Sequence, residues 1–159
     1  MLQDLLKPHF HLGSFLLRLG LATIFIFHGF LKLAQGDGAN WHDAAHNVLT
    51  APAQIALTWG EMVCGFAMLL GLLSRLAAVG IVTLQMGAIM LETWRLDFIH
   101  IEYVASRPSW TRTGYEYNFA LILMSLAVLA IGSGYVSLDF LIFGRMKDAA
   151  PPAVPKHSA

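Results

Sequence analysis

The sequence predicts an all-α fold, an integral membrane four-helix bundle, and two observations carry that prediction. The chain of 159 residues is 57% hydrophobic and only 13% charged. Its mean hydropathy of +0.61 is too high for a soluble domain of this size. Four segments, at about 14–34, 53–73, 76–94 and 117–131, reach or approach the roughly 20 mostly apolar residues that cross a bilayer. The lipid bilayer is therefore the first partner the composition implies.

Residues 1–13 precede the first apolar run as an N-terminal segment. The run from 14 to 34 is longer than the apolar part of a signal peptide and contains Lys32. No clear small-residue cleavage site follows it, so it reads as a retained helix. In the second helix, Pro52 suits a first turn and Gly71 suits a stop. The stretch "GLLSRLAA" then turns tightly into the third helix.

Two longer connections, "QGDGANWHDAAHNVLTAP" and "RLDFIHIEYVASRPSWTRTGYE", fall on one side of such a bundle. Lys7, Arg75, Arg145, Lys147 and Lys156 flank the opposite side, against Lys32, Arg95, Arg107 and Arg112 on the loop side. This bias places both termini in the cytoplasm. Trp94, Tyr103, Trp110, Tyr115 and Tyr117 then gather at the outer interface, as an aromatic belt does. After the fourth helix, "SLDFLIFGR" predicts a short interfacial helix at about 137–144 with Ser137 as its cap. Residues 146–159, rich in Pro and Ala, read as a disordered tail, leaving 14–145 as the helical domain. No repeat of the solenoid or inverted-repeat transporter kind is visible.

Ten Lys and Arg balance ten Asp and Glu, which argues against a nucleic-acid partner or a basic membrane-binding face. The lone cysteine, Cys64, excludes an internal disulfide, and any thiol chemistry needs a second sulfur from a partner. Glycine-rich nucleotide loops and haem-attachment motifs are absent, so no covalently bound cofactor is expected and no catalytic residue can be named.

The informative residues are polar ones inside the apolar runs. At about 100° per residue, Arg18 and His28 fall about 40° to either side of Lys32, so the three share one face of the first helix. That face is expected to look inward, because a charge at the bilayer centre costs on the order of 2.5–3.5 kcal/mol even on lenient scales. The second helix offers Glu61, and the third offers Gln85 and Glu92. Counting depth at about 1.5 Å per residue along alternating helices places His28, Lys32, Glu61, Glu92 and Glu116 in the outer half. Tyr115 and Tyr117 lie beside them. These residues, Tyr117 apart, are the candidates for ligand binding or proton relay; an ion-pair network that fixes packing is the competing explanation. Arg18, Arg75 and Gln85 read as structural, with Arg18 nearer the inner face, reaching phosphate, a carbonyl or Asp139. In the first outer loop, "HDAAH" sets His42 and His46 at a spacing that can share a metal on a helical turn, with His100 from the other loop completing the set. Solvated loop histidines are the alternative.

Three stretches, "RLGLATIFIFHGFLKL", "GEMVCGFAMLLGLLSRLAAVGI" and "GYEYNFALILMSLAVLAIGSGYVSLD", taken in this order, resemble the DoxX family of small four-helix membrane proteins. The resemblance rests on Arg18, His28, Gly29, Lys32, Glu61, Gly71, Arg75, Ala77, the run Gly114 to Tyr117, and Ser137 to Asp139. It implies the membrane part of a redox assembly. Relatives are described in an archaeal thiosulfate:quinone oxidoreductase, beside oxidative-stress enzymes of mycobacteria and in metal-stress gene clusters. Similar helices occur in a methylamine-utilisation protein linked to disulfide chemistry.

The expected function is thus a membrane subunit of a redox assembly in a bacterial or archaeal plasma membrane, contacting quinone through the outer polar cluster. It would be partnered by other subunits or by copies of itself. The alternatives are a non-catalytic docking subunit packed through Gly60, Gly65, Gly71, Gly80 and Gly87, and a small-solute or metal transporter.

Overall fold

The computed structural model describes residues 10–36, 49–93, 98–99, 102–104, 107–109 and 114–144. The loop histidines His42, His46 and His100, and the tail at 146–159, lie outside these residues, as do the side chains of Glu92 and of the strands. Four helices form the body: α1 (Phe10–Gly36), α2 (Ala51–Leu70), α3 (Ser74–Ala88) and α4 (Glu116–Ile131). Each packs on the next, and α4 closes back on α1, so the four make a ring with α1 diagonal to α3 and α2 diagonal to α4.

At about 1.5 Å per residue, the 27 residues of α1 span about 40 Å, more than the roughly 30 Å hydrocarbon core. Three helices are long and apolar enough to cross a membrane: α1, α2, and α3 taken through Leu91. The expected fourth crossing is shorter, since α4 has 16 residues and reaches about 24 Å. Most of its length is nevertheless spent closing the ring against α3 and α1.

The boundaries follow from local chemistry. Pro52 sits in the first turn of α2, where its missing N–H has no partner to lose. Gly71 ends that helix in the left-handed region (φ 65°). Its N–H donates to Met68 O (3.2 Å) and that of Leu72 to Ala67 O (2.9 Å), satisfying carbonyls the helix leaves open. Helix α3 runs beyond Ala88 into a π-helical turn at Ile89–Thr93. Ser137 caps as its position suggests: its Oγ accepts from Phe140 N–H (3.1 Å) ahead of a second π-helical turn at Phe140–Gly144. The expectation of helices alone misses one addition. In the connection between α3 and α4, β1 (Glu102–Val104) pairs antiparallel with β2 (Arg107–Ser109), Tyr103 opposite Pro108.

The interior divides into two layers. One is apolar, built from Leu21, Phe25, Met68, Ile81, Leu121 and Val128 with small Ala22, Ala77 and Ala78 between them. The small residues let the helices approach, as membrane bundles require when lipid supplies no hydrophobic drive. Helices α1 and α2 come closest at Gly65, where an added Cβ would lie 2.9 Å from Ile26 Cγ1 and 3.0 Å from Ile26 N. The second layer, toward the two long connections, is polar.

The hairpin end is locked by Arg18, which is only 1% exposed. It does not snorkel to phosphate. Its Nη1 donates to Met68 O (3.1 Å) and its Nη2 to Val136 O, tying α1 to the last turn of α2 and to the chain after α4. Asp139 attracts the guanidinium, but its own hydrogen bonds go elsewhere. Its carboxylate accepts from Leu73 N–H (2.6 Å) and Ser74 N–H (2.9 Å), capping α3. The Asp139 N–H donates to Gly71 O (2.9 Å). Arg75 is exposed on the same end, its guanidinium beside Gly132.

Candidate functional site

The polar layer begins on α2, whose buried face carries Gln54, Thr58 and Glu61 in succession. Spacings of four and three keep these side chains on one stripe. Glu61 lies about 15 Å along α2 from Ala51, at the midpoint of the helix and so deeper than its predicted place near the outer end. It is 8% exposed. Its Oε1 sits 2.6 Å from Lys32 Nζ, and the side chains of the pair are 11% and 20% exposed. Lys32 reaches down from the last turns of α1 because Gly29 brings the helices together beside Met62 and Thr58 O.

Across the ring, Gln85 of α3 is 7% exposed and its Oε1 accepts from Asn118 Nδ2 of α4 at 2.7 Å. Tyr117, one residue earlier on α4, stacks on His28 with ring centroids 6.4 Å apart and planes 23° apart. Tyr117 also lies within electrostatic reach of Glu61. Glu116, at the first turn of α4, receives its register from a bond between its N–H and Phe98 O (3.1 Å). Tyr115 is half-buried and packs edge-on against Phe98, centroids 5.2 Å apart.

One expectation is corrected. The shared face of Arg18, His28 and Lys32 does not turn inward as a unit: Arg18 is buried, Lys32 half-buried and His28 exposed at the edge of the bundle. The buried stripe of α1 centres on Phe25, and His28 stands about 60° away from it. That angle puts His28 on the seam with α4, where the ring of Tyr117 covers one side of the imidazole.

Lys32 and Glu61 are thus brought together directly, and Gln85 meets Asn118. His28 joins the group through Tyr117, and Glu116 follows next in sequence. Gln54, Thr58 and Asn118 were not singled out from the sequence. The first two carry a readable signal, since they continue the Glu61 stripe toward the start of α2. Asn118 carries none, because a single amide near a helix start is ordinary.

The layer has an uneven hydrogen-bond inventory. Its buried donors are used: Gln54 Nε2 donates to Leu49 O (3.1 Å), Thr58 Oγ1 to Gln54 O (2.9 Å) and Asn118 Nδ2 to Gln85. Among the described residues, Gln54 Oε1, Glu61 Oε2 and Glu116 Oε2 are buried acceptors with no donor. The described residues contain no group of three His, Cys, Asp or Glu side chains arranged to hold a metal. Cys64 is a free thiol, half-buried, facing the gap at Gly80.

A ring of apolar helices enclosing a buried ion pair and further polar groups defines a multi-pass membrane protein with a polar interior. The sequence model of the DoxX family matches residues 13–94, more than half of the chain, and the chain belongs to that family. The match takes in Arg18, His28, Lys32 and Glu61. Neither a curated protein nor a solved structure matches the chain.

Proposed function

We propose that this protein is the membrane subunit of a redox assembly and holds a quinone head group in its polar layer. One observation carries the reading: an ion pair, Lys32 with Glu61, maintained at mid-depth in an apolar bundle with the second Glu61 oxygen unpaired. Buried charge is costly in a membrane and is more economically replaced by apolar packing where it serves only stability. In this reading Lys32 donates to a ring oxygen, His28 and Tyr117 line the approach from the seam between α1 and α4, and Glu61 and Glu116 accept and release protons. Electrons come from a partner subunit or a directly bound reductant. The setting is a bacterial or archaeal plasma membrane with both termini cytoplasmic.

The test is quinone-linked turnover in native membranes carrying Glu61→Gln. Activity is expected to fall at least tenfold while the yield and monodispersity of the extracted protein stay unchanged. Full turnover in that variant overturns the reading.

A second reading, a non-catalytic docking subunit, is favoured by an apolar groove of about 300 Å³ on the outer face of α2, lined by residues that include Trp59, Val63, Phe66 and Leu70. Native mass spectrometry of the protein extracted in mild detergent separates the two. A stoichiometric protein partner with no bound quinone supports docking, and a quinone mass lost on Glu61 substitution supports the redox pocket.

A further inference from the structure

Five buried side-chain atoms among the described residues lack a hydrogen-bond partner, and their chemistry divides by position. At the hairpin end they are Arg18 Nε and Ser74 Oγ, both able to donate. In the polar layer they are Gln54 Oε1, Glu61 Oε2 and Glu116 Oε2, acceptors when the carboxyls are ionised. Gln54 is 3% exposed and Glu61 8%, so bulk water does not satisfy them. The layer is short of hydrogens.

We infer that the polar layer recognises a ligand that brings hydrogen-bond donors, and that of the two redox forms of a quinone it selects the quinol. The inference rests on the quinone reading above and deepens it. A quinone ring presents two carbonyl oxygens, which only accept, and set against Glu61 Oε2 and Glu116 Oε2 they add acceptors to acceptors. A quinol presents two hydroxyls. One donates to Glu61 Oε2 and the other to Glu116 Oε2, while Lys32 keeps its contact with Glu61 Oε1 and faces a hydroxyl lone pair with another of its hydrogens. The arrangement is plausible in space because Tyr117 is the neighbour of Glu116 in sequence and lies within electrostatic reach of Glu61. An acceptor left buried without a donor weakens binding by about a factor of ten for each group, so the discrimination is sizeable. A site that holds quinol more tightly than quinone also shifts the potential of the bound couple upward, which favours the delivery of electrons into it.

The experiment uses the full chain in lipid nanodiscs, titrated with decylubiquinol under anaerobic reducing conditions and with decylubiquinone under air. Binding is read from the quenching of tryptophan fluorescence and checked by displacement. The quinol is expected to bind at least tenfold more tightly, and the ratio is expected to fall below about threefold in Glu116→Gln and in Glu61→Gln, whose amides supply hydrogens of their own. Glu116→Gln lies outside the ion pair and keeps the test open if Glu61→Gln does not fold. Equal or tighter binding of the quinone overturns this inference and leaves the quinone reading standing. Binding of neither form overturns the quinone reading itself. A quinol preference unchanged in both variants overturns the assignment to these two carboxylates.

Discussion

Lys32 and Glu61, 29 residues apart in the chain, meet at 2.6 Å inside the bundle, and each is the nearest answer to the other's charge in an apolar surrounding. Removing one partner strands the other. Lys32→Met is expected to destabilise the fold by roughly 1–3 kcal/mol, between the values for exposed and fully buried pairs. Lys32→Met combined with Glu61→Leu removes both charges and should recover most of that loss. Thermal unfolding in detergent, followed by circular dichroism, measures both. Additive losses in the double variant would show that the pair is not coupled.

Gly71 is where the hairpin end cannot accept a side chain. Its φ is 65°, and an added Cβ would strike Arg18 Nη1 and lie 2.5 Å from Ser137 Cβ and 2.9 Å from Ser137 Cα. Gly71→Ala combines a left-handed backbone with overpacking and should cost about 2–4 kcal/mol. Gly87→Ala has nothing within 4 Å of its new methyl and should cost nothing measurable. The two midpoints in the same unfolding assay make the comparison.

The α1–α2 contact gives a graded version of the same test. At Gly65 the obstacle to a Cβ includes the backbone N of Ile26 at 3.0 Å, whereas at Gly29 the nearest atoms are Met62 Cγ at 2.6 Å and Sδ at 2.7 Å, in a side chain that can rotate away. Gly65→Ala should therefore destabilise by about 1–3 kcal/mol, and Gly29→Ala by less than half as much. A larger effect at Gly29 would mean that Met62 has no alternative rotamer.

Leu73 holds φ at 49° without being glycine. Asp139 holds it there by accepting from Leu73 N–H and Ser74 N–H. Replacing Leu73, which is half exposed, with Asn should be neutral or stabilising by up to about 1 kcal/mol, since Asn tolerates the left-handed region. Asp139→Ala should cost about 1–2 kcal/mol through the lost cap. Chemical denaturation of the two variants checks both signs.

The sequence by itself determined the environment and the elements. Long apolar runs predict membrane helices, Pro52 and Gly71 mark the ends of α2, and Ser137 marks a cap, because each signal is local to a few residues and their backbone chemistry. The sequence also identified Lys32 and Glu61 as buried charges in need of partners. Which partner each takes was decided only by the tertiary structure. Periodicity places a residue on a face of its helix, but the choice of Glu61 for Lys32 depends on how close Gly29 and Gly65 let two helices come. For the same reason His28 was read as interior and stands at the seam with Tyr117, and Arg18 turned out to bind the carbonyls of Met68 and Val136. Contacts between residues far apart in the chain are settled by helix crossing and register, and those are properties of the assembled bundle, carried by no single segment of the chain.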